Sequence, residues 1–284
     1  MESAMAMKSV LVPVYPDPGT SSVLKTACLF AERFKSTIEG ISLEFPPTHM
    51  LTGDIYGGAW VPSAQGPSER QTREAREAFE AGMRAGGIVP VGANPTGPSW
   101  RWSEQAITDA GGMAGWSRVF DITVYGRTTP SVFAAHQYAL ESTLFESGRP
   151  VLLAPPAPGK SIGDTVLIAW NCSTESARTV AHAMPILEQA KRVVVLTVEG
   201  GTVPGPAGSD LATRLAANGV KAEARTVPDH ARGSGATILA ETTKLGADLV
   251  IKGAYTQSRL RQLIFGGATS HILAHAELPV FMAH

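Results

Sequence analysis

The sequence predicts an α/β protein made of two tandem, doubly wound, five-stranded parallel-sheet domains at residues 1–156 and 163–284. Three observations predict it. Short β-rich apolar runs alternate with segments of helical length, and strands separated in this way need parallel crossovers. The runs SVLVPV (9–14) and TVLIAW (165–170) resemble each other, and each opens a half. The halves also close alike, since GRPVLLAP (148–155) and ELPVFMAH (277–284) each place a proline just before a strand of buried composition. Between them PAPGKSIGD (156–164) reads as the linker.

In the first half, the opening strand 9–14 ends before a PDPG turn, and the charged amphipathic stretch PSERQTREAREAFEAGMRAGG (67–87) reads as a helix. FDITVYG (120–126) is a later strand with glycine at its carboxyl end, and the half closes on 150–154. The insertion FPPTHMLTGDIYGGAWVPSAQG (45–66) has no counterpart in the second half. The closing strands 150–154 and 279–283 are expected to bring the halves together, because an unpaired apolar edge strand invites aggregation.

The second half alternates cleanly. Strand 165–170 leads into a helix over STESARTVAHAMPILEQA, with Ser173 as N-cap and Ala177, Val180, Ala181, Met184 and Leu187 at helical spacing. Strand 192–199, helix 209–219, strand 221–227, helix 235–246 and strand 247–253 follow. A last helix comes after Gly267, and the chain ends on PVFMA.

Composition excludes several classes. Across 284 residues, 44% are hydrophobic and 17% charged, which is the profile of a folded globular protein. Lys+Arg 24 against Asp+Glu 25 leaves a net charge of -1, so no whole-protein field attracts nucleic acid or an anionic membrane. The two cysteines, Cys28 and Cys172, form no CxxC, and the opening MESAMAMKSVLVPV has no export pattern. No stretch reaches the length of a membrane span. A cytoplasmic, thiol-reduced protein is the expectation.

The order VLIAWNCSTESARTV, ADLVIKGAY and SRLRQLIFGGATSHILAHAELPVFM resembles the universal stress protein family, in its tandem form with a Rossmann-like fold in each half. In the nucleotide-binding branch of that family, a G-x2-G-x9-G-[S/T] run follows the fourth strand and an aspartate after the first strand meets adenine. The resemblance therefore implies a site for ATP or a related adenine nucleotide in the second half. Laid on this chain, the run gives Gly253, Thr256 in place of the second glycine, Gly266, and Gly267 in place of Ser or Thr. Asn171 stands at the adenine position, flanked by Ala169 and Trp170, with Ala268 and Thr269 beyond the glycine pair. Arg259 and Arg261 are suited to clamping phosphates. The physical basis is general, since strand carboxyl ends at a switch point expose backbone N–H groups to phosphate beside a helix N-terminus. The same glycines equally serve a tight turn and close helix packing.

The first half carries Tyr15 at the position of Asn171, with Asp17 nearby, and GRTTPSVFAAHQ after its fourth strand has no glycine pair. It reads as structural, so the expectation is one nucleotide per chain. No catalytic constellation stands out; Ser234 between Gly233 and Gly235 has no His-Asp logic beside it, and at most slow ATP hydrolysis is expected. His271 and His275 have the i, i+4 spacing of a two-ligand metal site but lack a third ligand at a recognisable spacing. No metal is expected beyond magnesium accompanying a nucleotide. The resemblance implies a stress-response regulator or adaptor that self-associates as a homodimer; the alternative is a nucleotide-free tandem scaffold acting through protein–protein contacts.

Overall fold

The computed structural model describes residues 7–15, 17–44, 68–93, 96–127, 133–157, 159–229, 233–254 and 267–284. The insertion 45–66 lies outside the described residues.

The first half runs β1 (Ser9–Val14), α1 (Thr20–Phe34), β2 (Thr37–Leu43), α2 (Glu69–Ala85), β3 (Val89–Pro90), β4 (Ser99–Ile107), α3 (Ala110–Ser117), β5 (Ile122–Gly126), α4 (Phe133–Glu146) and β6 (Val151–Ala154). The second runs β7 (Thr165–Ala169), α5 (Thr174–Leu187), β8 (Arg192–Val198), α6 (Gly208–Ala217), β9 (Ala222–Val227), α7 (Ser234–Leu245), β10 (Leu249–Gly253), α8 (Ala268–His275) and β11 (Val280–Ala283).

Among the described residues, eleven strands join one sheet in the order β3-β4-β2-β1-β5-β6-β11-β10-β7-β8-β9. The second half is five-stranded and parallel, as expected. The first half differs by one piece, because the two-residue β3 adds to the outer edge of β4. The halves meet through their closing strands, β6 and β11, which pair antiparallel with Leu152 opposite Phe281. The strands that would be edges of two separate sheets thus satisfy each other's backbone groups. At that junction the carboxyl ends of the two parallel sets point in opposite directions.

Strand alternation divides the core between the two faces of the sheet. One face carries Val10, Val12, Val166, Ile168 and Trp170 under α1, α2, α5 and α6. The other carries Leu11, Leu167, Ala169 and Val250 under α3, α4, α7 and α8. Each cluster runs through both halves, so the halves share one core on either face. The edge strand β9 is mostly exposed, and its Glu223 and Arg225 interrupt what would otherwise be an adhesive edge.

The charged helix α2 behaves as its pattern predicts, burying Ala75, Phe79 and Met83 and leaving Arg76 and Glu80 paired outside. In α5 the buried stripe is rotated from the expected one. Ser176, Thr179, Val180, Ala183, Ile186 and Leu187 face inward, while Ala177 and Ala181 are exposed. Hydroxyls occupy inward positions because the backbone accepts their protons: Ser176 Oγ donates to the Ser173 carbonyl at 2.9 Å, and Thr179 Oγ1 to that of Glu175 at 2.6 Å. Small alanines on the solvent side completed the misleading apolar spacing.

Candidate functional site

From β7 the chain winds out through β8 to β9, whereas β10 lies on the opposite side of β7. The carboxyl ends of β7 and β10 therefore flank the point where the strand order reverses, the place where open α/β sheets form a crevice. Lys252 is in register with Ala169, so Gly253 and Ala254 lie beside Trp170 and Asn171 as the strands end.

Asn171 begins a turn held by its own side chain. Its Oδ1 accepts from the Ser173 hydroxyl at 2.8 Å and the Ser173 backbone N–H at 3.3 Å. Ser173 in turn caps α5, its Oγ accepting from the Ser176 N–H at 3.1 Å. Between them, Cys172 takes a left-handed φ of 67°, an uncommon conformation for a residue with a side chain. Trp170 fills core space: the indole is only 6% exposed and donates from Nε1 to the Pro206 carbonyl at 3.0 Å. Cys172 Sγ reaches the same carbonyl at 3.1 Å, so the connection after β8 is drawn against this turn. Ala169 is buried on the opposite face from Trp170.

On the β10 side, Gly253 has no room for a side chain. A Cβ there would lie 2.5 Å from the Ser176 backbone nitrogen and 2.7 Å from the Glu175 carbonyl carbon. The glycine lets the first turn of α5 press against the end of β10, a packing role independent of any ligand. The N-terminus of α8 completes the set. Gly267 is its N-cap, with no side-chain cap among the described residues, and Ala268 and Thr269 are its first residues. Thr269 is buried, and its hydroxyl accepts from Lys252, so its side chain faces the core rather than presenting a free hydroxyl. Thr256, Arg259, Arg261 and Gly266 lie outside the described residues.

Lys252 is the residue that sequence reading passed over. It is 7% exposed, and its ammonium donates to the Gly253 carbonyl at 2.7 Å and to Thr269 Oγ1 at 2.8 Å. Burial lowers its pKa from 10.5 to about 8. The signal was present in the strand ADLVIKG: alternation places Lys252 on the same inward face as Val250.

The corresponding place in the first half is filled differently. Tyr15, just past β1, stacks on His136 of α4 with ring centroids 3.4 Å apart. Burial raises the Tyr15 phenol and pushes His136 down from 6.5 to about 4, so an uncharged aromatic pair fills this position. Asp17 Oδ1 is engaged by the Gly19 N–H at 2.6 Å as part of the turn into α1.

His271 and His275 stack on α8 with centroids 4.3 Å apart, and His275 Nδ1 lies 2.9 Å from the His271 carbonyl oxygen. No group of three or more metal-ligating side chains occurs among the described residues. Nor is any described helix long and apolar enough to cross a membrane.

The sequence model of the universal stress protein family matches residues 164–284, the five-stranded second half. No curated protein matches the chain. Among solved structures, a universal stress protein from Archaeoglobus fulgidus DSM 4304 is similar with a TM-score of 0.69 at 15% identity, covering 98% of this chain and 97% of that one. A candidate universal stress protein from Pseudomonas aeruginosa UCBPP-PA14 is similar with a TM-score of 0.55 at 17% identity, covering 99% and 95% respectively. At these identities the two structures speak for the fold, which extends the likeness over both halves. Residues 164–284 are therefore a universal stress protein domain.

Proposed function

We propose that the chain is a stress-response regulator or adaptor that binds ATP or a related adenine nucleotide in its second half. The observation that carries this reading is the convergence of Asn171, Gly253 and the N-terminus of α8 at the switch point between β7 and β10. Asn171 offers an amide to the base, while Gly267, Ala268 and the glycine-bearing end of β10 supply backbone beside the phosphates. Thr256, Arg259 and Gly266 join the site on the strength of the family pattern. On this reading residues 1–156 and 163–284 are two units, of which the first is structural and the second binds. Binding acts through conformation and protein contacts, with at most slow hydrolysis, and self-association into dimers fits an adaptor role.

A second reading has its own support. Gly253 is required by the approach of α5, and Trp170 fills core space, so neither residue needs a ligand to explain it. The alternative is a nucleotide-free tandem scaffold working through protein–protein contacts. Native mass spectrometry of the intact chain separates the two. The nucleotide reading expects an adenine nucleotide carried through purification or taken up on adding ATP with magnesium; a mass that stays that of the bare chain at saturating ATP favours the scaffold.

A further inference from the structure

Lys252 poses an electrostatic problem that its described neighbours do not solve. Its ammonium has three N–H donors, and the bonds to Gly253 and Thr269 employ two of them. Both acceptors are neutral, and among the described residues no carboxylate pairs with it. Other buried charges are treated differently: Glu39 is paired with Arg101, and Glu241 with Arg225 and Lys244. Thr269 is the second residue of α8, so the ammonium sits against a helix end that already carries positive partial charge. A buried cation at that end is unfavourable twice over, through desolvation and through the dipole. An anion placed there relieves both.

We propose that Lys252 supplies the counter-charge for the phosphates of the nucleotide bound in the second half, acting where the end of β10 meets the first turn of α8. This rests on the nucleotide reading and adds to it, because the family pattern holds phosphate through backbone N–H groups whereas Lys252 brings a full side-chain charge. It also gives the lysine a reason to occupy a strand position where an apolar side chain would be cheaper to bury.

The test is calorimetry on the full chain and on Lys252→Met and Lys252→Gln, each titrated with ATP, adenosine and tripolyphosphate. Both variants are expected to bind ATP about 10-fold or more weakly while keeping the affinity for adenosine. Their melting temperatures without ligand should match or exceed that of the original chain, because a desolvated charge has been removed. Two substitutions are used so that a failure of one to fold leaves the other, and Gln retains a polar tip. Undiminished ATP affinity in a folded variant overturns the inference, as does an equal loss for ATP and adenosine, which marks a purely structural lysine. If the original chain binds neither ATP nor adenosine, the nucleotide reading fails by itself. Tripolyphosphate then decides the lysine's role: binding that the variants lose supports it, and no binding overturns it.

Discussion

Gly253 and Tyr15 illustrate how much a single side chain decides. Gly253→Ala puts a methyl group 2.5 Å from the Ser176 nitrogen, where backbone must shift to admit it. Overpacking of this kind costs about 1–3 kcal/mol, so chemical denaturation should show a clear loss of stability. At the position of the Tyr15–His136 stack, acid has a defined effect. The folded chain keeps His136 neutral down to about 4, whereas an unfolded chain takes up the proton near 6.5. Stability is therefore full above pH 6.5 and declines as pH falls toward 4, since only the unfolded state binds the proton in that window. His136→Phe should flatten that part of a stability–pH profile; an unchanged slope would show that other groups set it. Residue identities at the site were partly legible. Asn171 and Gly253 were singled out through the family pattern and lie side by side at the strand ends, whereas Lys252 was passed over because a charged residue in an apolar strand draws the eye to the surface. Its inward placement follows from strict strand alternation, which a single polar residue does not disturb.

At the scale of elements, capping and strand ends were readable while helix rotation was not. Ser173 was identified from residue type and position alone, and it does cap α5. Ser173→Ala should cost about 1 kcal/mol and also release the Asn171 turn that leans on the same hydroxyl. The buried face of α5 defied its apolar spacing because Ser176 and Thr179 satisfy their hydroxyls within the helix backbone. The short β3 escaped notice because two residues form no pattern. The closing strands were expected to meet, and β6 and β11 do, with Phe281 fully buried opposite Leu152. Phe281→Ala removes a large side chain from the shared core beside that junction and should cost about 3–5 kcal/mol. A thermal midpoint unchanged in that variant would mean the junction adds little to stability.

For the whole molecule, the two halves are expected to stand or fall together. Their cores are continuous on both faces of the sheet, and Arg33 of α1 reaches across to the Ile162 and Gly163 carbonyls, the Asp164 carboxylate and the Gln189 carbonyl. The two opening runs and two closing runs made the duplication visible in the sequence. Its difference in chemistry is visible at the same two places, Tyr15 against Asn171. The central claim is that binding is confined to the second half, and titration calorimetry of the full chain with ATP and magnesium tests it most directly. The account predicts saturation at one nucleotide per chain. Saturation at two would mean that the Tyr15 end also binds, and the absence of binding would mean that the convergence of Asn171, Gly253 and α8 serves packing alone; either result contradicts it.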